Sequence, residues 1–445
     1  MNSLQGPSTL PLKQLYQWIF NPLNYLEENA KHYKDYFIGS FKSDFKFVFI
    51  HNPSAIEEIF TADLKQFDSG KTNRYLANLL GNNSLLVLDG PRHRKHRQLL
   101  MPNFHGDRVN KYKEIICEIT NRVINSWQDG QKILVRKEMQ EISFEVILQA
   151  VFGLEQSPRG EKIKIELLKW QDMFSSRLGT FMTFMPELQR DFGPLRIGQY
   201  YSKQKMVVDE LLYKQIDEKR RTANGAQVDI LSLLIEAYDA KGKGMSDAEL
   251  RDELVTLLLA GHETTATAIS WALYRICQTP EVKQKLYDEL KQNNEDAFQN
   301  INQLPYLNAV CLETLRLHPV VLITTGRLLK FPFEIMNYTF DKGMILAPCM
   351  YLLHRREDLY PNPHQFRPER FLERQYSPYE YMPFGGSNRR CIGSALALLE
   401  MKIVLARVIL DFDLKCVNSN ILKGSRRGIT VAPTKLKMIV QKSSR

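Results

Sequence analysis

The sequence predicts a mainly α-helical protein with small β-sheets, an α+β fold organised around one long central helix. Two patterns support this fold class. Between about residues 110 and 300, apolar residues recur at helical spacing, with short polar breaks between the helices. Short alternating segments near residues 35–60, 331–347 and 428–441 are typical of strands. Because no repeat or linker divides the chain, we expect a single domain over residues 1–445.

The composition limits the class of protein. The chain is 44% hydrophobic and 25% charged, as in an ordinary globular protein, and it has no low-complexity tract. Lys and Arg number 60 against 50 Asp and Glu, so the formal net charge is +10. This excess favours an acidic partner or a weak attraction to anionic surfaces, and it is too small to indicate nucleic-acid binding.

Cysteine usage and the N-terminal sequence bear on location. The six cysteines are scattered without paired spacing, which argues against a disulfide framework or a zinc site and favours a reducing compartment. The first residues lack the basic and apolar segments of a signal peptide. No apolar run approaches the length of a membrane helix. We therefore expect a cytoplasmic protein without a membrane anchor, and peripheral membrane contact stays open.

The early β-rich segment has clear local signals. Residues 35–50 predict a strand pair. Asn52 and Pro53 then supply an N-cap and a first helical residue for a short helix through Phe60. A further hairpin is predicted around Asn337.

A dense basic stretch follows at residues 89–97. His93 and Arg97 are four residues apart on one helical face, so they could clamp an anionic group together. Arg94, Lys95 and His96 would then point elsewhere, toward an acidic partner. A solvated basic face or a nucleic-acid patch is the alternative, although single-strand binding would require interleaved aromatic residues that are missing.

The longest predicted helix begins with a capping box at Ser246 and runs to about Gln278. That is roughly 33 residues, or about 50 Å, enough to cross a whole domain. Gly261, Glu263 and Thr264 lie in its leucine-rich middle, where an acid and a hydroxyl are locally costly and therefore suggest a function. A solvated face is the alternative. A zinc-protease motif is excluded, because the second histidine that it needs is replaced by Ala266.

Glu313 and Arg316 are three apart and face each other on a predicted helix. Such pairs are usually weak surface contacts. Here the neighbouring residues are apolar, which suggests a buried pair that needs further partners. Arg370 is a candidate third member.

Residues 384–393 combine glycines, a serine and two arginines around one cysteine, Cys391, just before an amphipathic helix. The free N–H groups and dipole of a helix start favour a thiolate. Glycines let the backbone approach something large and flat. The segment therefore predicts a thiolate ligand.

Taken together and in this order, these motifs resemble the cytochrome P-450 superfamily of haem-thiolate monooxygenases, over essentially the whole chain. Residues 384–393 are similar to the signature Phe-x-x-Gly-x-Arg-x-Cys-x-Gly, except that Ser387 replaces the usual glycine. If that position needs a positive φ, the serine would strain the backbone. Residues 260–265 match the oxygen-activation pattern, and Glu313, Arg316 and Arg370 match the structural triad. The chain looks most like soluble bacterial or cyanobacterial members.

The resemblance implies a role for each matched residue. Cys391 would be the axial ligand of the iron of haem b, with Phe384 packed against its loop. Gly261 would make room for O₂, Thr264 would hold the oxygen by a hydrogen bond, and Glu263 would help to relay protons. The cations that would neutralise the two haem propionates are His93, Arg97, Arg327 and Arg389.

The resemblance also implies a lipophilic substrate, a long-chain fatty acid or a terpenoid. The expected pocket residues are Phe174, Phe181, Ile323, Thr324 and Ile429, with ordinary core packing as the alternative. Electrons would come from a separate ferredoxin or flavodoxin with its reductase, which would dock on a basic patch of Arg94, Lys95, His96 and Arg390, and the protein would be a monomer. Two alternatives stay open: a peroxygenase or isomerase that needs no reductase, and a non-catalytic haem or gas sensor.

Overall fold

The computed structural model describes residues 5–42, 45–153, 158–185, 197–222, 229–239, 242–293, 296–417 and 422–442. Its helices are α1 (Pro11–Phe20), α2 (Pro22–His32), α3 (Pro53–Thr61), α4 (Ala77–Leu80), α5 (Gly90–Leu100), α6 (Asp107–Asn125), α7 (Val135–Phe152), α8 (Pro158–Ser175), α9 (Arg177–Phe184), α10 (Ile197–Thr222), α11 (Ile230–Glu236), α12 (Asp247–Gln278), α13 (Pro280–Gln292), α14 (Asp296–Gln299), α15 (Pro305–Leu317), α16 (Met350–Leu353), α17 (Arg370–Glu373) and α18 (Ser394–Asp411). Its strands are β1 (Tyr36–Lys42), β2 (Phe45–Ile50), β3 (Phe67–Asp68), β4 (Lys132–Leu134), β5 (Arg327–Leu329), β6 (Phe333–Ile335), β7 (Tyr338–Phe340), β8 (Ile345–Pro348), β9 (Phe412–Cys416), β10 (Ser425–Arg427), β11 (Thr430–Ala432) and β12 (Lys437–Lys442). The fold is therefore mainly α-helical with small sheets, as predicted.

A five-stranded sheet joins the N-terminal strands to the segment that follows α15. Its strand order is β1-β2-β8-β5-β3. β1 and β2 form the predicted antiparallel pair, with Phe37 opposite Phe49. β2 then runs parallel to β8, with Phe47 opposite Ile345. This pairing brings the segment after α15 against the N-terminal strands.

The smaller sheets include both predicted and unpredicted strands. β6 and β7 form the hairpin expected around Asn337, and Met336 and Asn337 both have positive φ, as a tight hairpin turn requires. β12 pairs with β9 and β4, and β10 pairs with β11. The strands β4 and β9 escaped prediction because β4 has only three residues and β9 follows α18 without a break.

The helix α12 is the centre of the helical layer. It packs against α7, α10, α15 and α18. The predicted capping box is confirmed: the Ser246 hydroxyl accepts a hydrogen bond from the Glu249 N–H at 3.3 Å, and the Glu249 carboxylate accepts one from the Ser246 N–H at 2.9 Å. The helix has 32 residues, most of them buried, and thus places its middle inside the protein. None of the described helices has the length and apolar character that a membrane crossing needs.

Candidate active site

A cavity of about 800 Å³ separates the middle of α12 from the loop before α18. Its walls include Gly261 and Thr264 on one side and Cys391 on the other. The 3₁₀ segment Gly70–Leu76, the stretch 320–326 and the turn between β10 and β11 close the remaining sides. The cavity walls are predominantly apolar.

The loop before α18 holds Cys391 in a fixed position. The Cys391 N–H donates to the Phe384 carbonyl at 2.9 Å, and the Gly385 N–H donates to the Met382 carbonyl at 2.9 Å. Gly385 has a φ of +68°, which favours glycine. The helix α18 begins three residues after the cysteine, at Ser394. The loop thereby presents the Cys391 sulfur to the cavity at a helix start.

Opposing effects act on the Cys391 thiol. The side chain is accessible from the cavity. Surrounding protein nevertheless desolvates the sulfur and raises the pKa of the thiol above its ordinary value, while the Gly393 N–H and the Arg97 and Arg390 charges lower it. A metal ion bound to the sulfur would outweigh the desolvation and hold a thiolate.

Ser387 occupies a strained position in the same loop. Its φ is +56°, which is the positive value at which a serine strains the backbone. A side chain in the left-handed region costs about 1–2 kcal/mol relative to glycine. The preceding Gly386 is fixed for a different reason, because a Cβ there would lie 2.2 Å from the Phe60 ring.

Arginines and a histidine gather at one end of the cavity. Arg389 donates to the Leu85 and Leu88 carbonyls and pairs with Asp89 at 2.7 Å, yet its Nε is buried and has no hydrogen-bond partner among the described residues. Arg97 lines the cavity and donates through Nη1 to the Arg390 carbonyl at 2.8 Å.

The remaining two predicted cations belong to the same cluster. His93 is buried and lines the cavity. Arg327 lies behind the wall rather than in it, and its Nη1 donates to the carbonyl of Thr325, which does line the cavity, at 2.8 Å. Arg327 therefore acts on the cavity through its charge in this arrangement.

The cluster carries more positive charge than its surroundings neutralise. Burial first, and then the charges of Arg389, Arg97 and Arg327, lower the pKa of His93 to about 3. Burial and Arg389 lower the pKa of Arg327 to about 9. Desolvation lowers the pKa of Arg389 to about 10 although Asp89 opposes it. Groups shifted in this way are stabilised by an added anion.

These residues fit a haem. The cluster offers cations and a free Arg389 Nε to two carboxylates. The Cys391 sulfur is open to the cavity. A Cβ at Gly393 would meet nothing within 4 Å, so the loop leaves room for a flat group beside it.

The helix α12 presents one of its two predicted polar residues to the cavity. Thr264 lines it, and the threonine hydroxyl donates to the Ala260 carbonyl at 2.5 Å. Glu263 is buried against α7 instead: Arg136 Nη2 donates to both carboxylate oxygens, at 2.7 and 2.8 Å, and Gln140 donates to one of them at 2.8 Å. Sequence reasoning missed Arg136 and Gln140, whose four-residue spacing on α7 was the available signal.

Gly261 has a packing reason of its own. It lines the cavity, but a Cβ on it would point at α7 and lie 2.7 Å from Ile147 Cδ1. The glycine therefore permits the close approach of α12 to α7, and the room expected for O₂ is not what the missing side chain provides.

The predicted triad is assembled outside the cavity. Arg316 Nε and Nη2 bind the two Glu313 oxygens at 2.6 and 2.9 Å, and Arg370 Nε donates to Glu313 at 3.0 Å. Arg316 also donates to the carbonyls of His354 and Pro363. Glu313, Arg316 and Arg370 are all almost fully buried, so this network links α15 to the segment that precedes the cysteine loop.

The predicted substrate residues divide into two groups. Ile323, Thr324 and Ile429 line the cavity. Phe174 and Phe181, which were expected beside them, are not among the described residues that line the cavity. Phe174 packs edge-on against Trp170 and Tyr201 where α8 meets α10, and Phe181 stacks on Phe20 of α1.

The aromatic residues that line the cavity include Trp18, Tyr75 and Phe184. Tyr75 and Phe184 stack with centroids 5.4 Å apart. Phe184 is the last residue of α9, whereas Trp18 comes from α1, far away in the sequence.

The predicted basic patch is smaller than expected. His96 is buried and hydrogen-bonded to Glu253 at 2.7 Å. Lys95 pairs with Asp239 at 3.0 Å. Arg94 and Arg390 remain exposed. The correction follows from two separate contacts: Glu253 of α12 binds His96 in the interior, and Asp239, which precedes α12, binds Lys95.

The fold and the site together define a protein that offers a cysteine thiol and a cationic clamp to haem. The sequence model of the cytochrome P-450 family matches residues 4–440, and the chain therefore belongs to that family. Members of the family bind haem through a cysteine thiolate and are in general monooxygenases.

Relatives of similar length occur in mycobacteria. Cytochrome P-450 135B1 of Mycobacterium tuberculosis is 34% identical over 377 residues, which cover 84% of this chain and 77% of the relative. Cytochrome P-450 135A1 of the same species is 32% identical over 390 residues, with 86% and 82% covered. These names specify no substrate.

Two solved structures share the fold. The retinoic acid-bound structure of cyanobacterial CYP120A1 matches with a TM-score of 0.83 and 23% identity, covering 99% of this chain and 100% of that one. The heme domain of cytochrome P-450DA matches with a TM-score of 0.85 and 22% identity, covering 99% and 97%. At these identities the likeness concerns the fold alone.

Proposed function

We propose that this protein is a haem b monooxygenase that hydroxylates a lipophilic substrate with O₂ and with electrons from a separate redox protein. The observation that carries the proposal is one apolar cavity lined by both Cys391 and Thr264. When bound, haem supplies the activation of O₂, of which one atom enters a C–H bond and the other leaves as water. The protein supplies binding, orientation and protons.

The chain holds the cofactor from two directions. Cys391 is the ligand offered from the start of α18, where the loop hydrogen bonds fix its position. His93, Arg97 and Arg389 line the cavity, and Arg327 adds its charge from behind the wall. A thiolate is a strong electron donor to iron and favours cleavage of the O–O bond.

Protons reach the cavity by way of α12. The Thr264 hydroxyl lines the cavity and can turn from the Ala260 carbonyl toward oxygen. Glu263, held by Arg136 and Gln140, is the adjacent acid that exchanges protons with solvent on the α7 side. Delivery requires the Glu263 carboxylate to leave Arg136 transiently.

The walls favour a long lipophilic substrate, a fatty acid or a terpenoid. Ile323 and Ile429 contribute aliphatic surface, and Trp18, Tyr75 and Phe184 contribute aromatic surface. The cyanobacterial structure of the same fold has retinoic acid bound, a lipophile of this kind.

The electron donor is an acidic ferredoxin or flavodoxin with its reductase. Arg390 directly precedes Cys391 and is exposed, as is Arg94 on α5. This pair is a smaller docking site than the sequence indicated, and it suits an acidic surface patch. The protein acts as a cytoplasmic monomer in this proposal.

The test combines a spectrum with turnover. The reduced carbon monoxide complex should show the red-shifted Soret band of thiolate ligation, which Cys391→Ser should abolish while Cys117→Ser on α6 retains it. Lipids and terpenoids that displace the water ligand of the iron should then be hydroxylated with labelled O₂, NADPH, ferredoxin and ferredoxin reductase. Incorporation of label supports the proposal. Turnover that hydrogen peroxide supports and the reductase system does not would assign a peroxygenase instead.

A further inference from the structure

Two arginines at the cavity, Arg74 and Arg426, belong to neither the haem-facing cluster nor the docking surface; Arg74 is exposed, whereas Arg426 is half-buried. Arg426 lies in β10, opposite Val431 of β11, and lines the same cavity as Thr264. Its Nε and Nη2 atoms are buried and have no hydrogen-bond partner among the residues that the structure describes. Within the described part of the chain no acidic side chain forms an ion pair with it.

The side chain is held by aromatic rings rather than by hydrogen bonds. The guanidinium carbon lies 4.5 Å from the centroid of the Trp18 ring and 5.5 Å from that of Phe184. Ring faces attract a guanidinium, but they do not satisfy its N–H groups. Trp18 and Phe184 therefore orient Arg426 and leave one edge of it open.

No carboxylate of the described residues forms an ion pair that would neutralise the charge of Arg426. Burial lowers the pKa of Arg426 to about 10, so the side chain remains charged at neutral pH. Among the described residues that line the cavity, Glu400 is the one acid; it lies on α18, and burial raises the pKa of its carboxyl to about 8. An uncompensated buried charge is costly, and a ligand anion would remove that cost.

The free edge of Arg426 has the geometry of a carboxylate receptor. Nε and Nη2 lie on the same side of a guanidinium, and Arg316 uses this pair of atoms to bind both oxygens of Glu313. In Arg426 the same two atoms are the unpartnered ones. A single guanidinium amid aromatic walls suits one carboxylate on an apolar body better than a doubly charged phosphate.

We propose that Arg426 binds the carboxylate of the substrate through Nε and Nη2, and that the substrate class is lipophilic carboxylic acids. The proposal rests on the monooxygenase function proposed above. It narrows the choice between acids and neutral terpenoids to the acids. Arg426 is a specificity-determining residue in this scheme, since it binds one end of the substrate while the apolar walls bind the remainder.

The test measures binding to the haem-loaded protein with two matched ligand pairs, palmitic acid with hexadecanol and retinoic acid with retinol. Each pair shares an apolar body and differs in the carboxylate. Dissociation constants come from calorimetry and from the shift of the Soret band. The variants are Arg426→Gln, Arg426→Lys and, as a charge-matched control on the exposed surface nearby, Lys423→Gln.

We expect the unaltered protein to bind each acid more tightly than its alcohol. Arg426→Gln should weaken acid binding about 10- to 100-fold, since a charge-assisted bond is lost, and change alcohol binding less than about 2-fold. Arg426→Lys should retain part of the preference, because it keeps the charge and loses the fork. Lys423→Gln should match the unaltered protein.

Three results would overturn the inference: no preference for acids in the unaltered protein, equal losses for acid and alcohol in Arg426→Gln, or no binding of either acid. Because binding is measured without a reductase, this test can fail or succeed independently of the turnover test of the proposed function. Acid preference without reductase-driven turnover would defeat the monooxygenase proposal alone. Turnover of alcohols without acid preference would defeat this inference alone.

Discussion

Arg136 of α7 holds Glu263 of α12 by both carboxylate oxygens, with Nη2 at 2.7 Å from Oε1 and 2.8 Å from Oε2. The contact turns Glu263 away from the cavity that its neighbour Thr264 lines. In the proposed function, a proton carried by this carboxyl would have to pass around α12, so proton exchange by Glu263 and oxygen binding by the Thr264 hydroxyl can be tested separately.

Replacement of Glu263 tests its proposed role in proton transfer. Glu263→Gln retains the size of the side chain and removes its acid, so we expect turnover to fall about 100-fold, the lower end of the usual contribution of a positioned proton-transfer group. Haem content and substrate binding of Glu263→Gln should stay unchanged, because Glu263 is not among the described residues that line the cavity. Turnover should be measured in water and in heavy water, where the variant is expected to show the larger solvent isotope effect. A normal rate would exclude Glu263 from the relay.

Replacement of Thr264 tests the proposed role of its hydroxyl in holding oxygen. Thr264→Ala removes the hydroxyl at the cavity, so electrons should be diverted to hydrogen peroxide while haem stays bound. The measurement is the ratio of peroxide to product for each NADPH consumed. Thr264→Ser is the matched control, because it keeps the hydroxyl and should remain largely coupled. Full coupling in the alanine variant would contradict the assignment.

The difference between Glu263 and Thr264 shows which features of the site can be predicted from the sequence and which cannot. Local patterns predict the boundaries of α12, whose capping box is confirmed. The family motifs predict the order of the site residues along the chain. Which way Glu263 turns depends on Arg136, more than a hundred residues away, and no local pattern contains that contact.

The same limit explains the other misses. His96 lies in a basic stretch and was therefore predicted to be on the surface, yet it is buried and hydrogen-bonded to Glu253. Arg426 stands beside Arg427 in a three-residue strand, and this local sequence does not indicate the contact with Trp18. Both outcomes are set by tertiary contacts between elements distant in sequence.

The Glu313 network should be essential for stability. Glu313→Gln leaves Arg316 and Arg370 buried without their carboxylate, so the free energy of unfolding should fall by about 3–5 kcal/mol. Glu373→Gln is the control, since its pair with Arg367 is exposed and such pairs contribute about 0–1 kcal/mol. Urea denaturation of the haem-loaded protein measures both. Equal stability of the two variants would show that the buried network is dispensable.

His262 should make stability depend on pH. It is fully buried beside Phe144 and hydrogen-bonded to Gln171 at 2.8 Å; burial first, and then the Arg136 charge, lower its pKa to about 3. Between that value and about 6.5 the unfolded chain binds a proton that the folded protein does not. Stability should therefore fall with decreasing pH by about 1.4 kcal/mol per unit from this group.

The measurement is the free energy of unfolding against pH for His262→Gln. The slope between about pH 6.5 and the acid limit should flatten by roughly one proton. His105→Gln, at an exposed position, is the control and should leave the slope unchanged. An unaltered slope in His262→Gln would mean that this histidine titrates alike in both states.

The cysteine loop offers a stabilising change at Ser387. Its φ of +56° is easy for glycine and costly for other residues, so Ser387→Gly should raise the free energy of unfolding by about 1 kcal/mol. Ser387→Ala keeps a Cβ in the same backbone conformation and should not stabilise the protein.

The free energy of unfolding and the Soret band of the reduced carbon monoxide complex should be measured for both variants. Because Ser387 is exposed and the Cys391 N–H bonds to Phe384, the spectrum should stay unchanged in each variant. A gain in Ser387→Ala equal to that in Ser387→Gly would show that the serine side chain, and not its φ, is unfavourable.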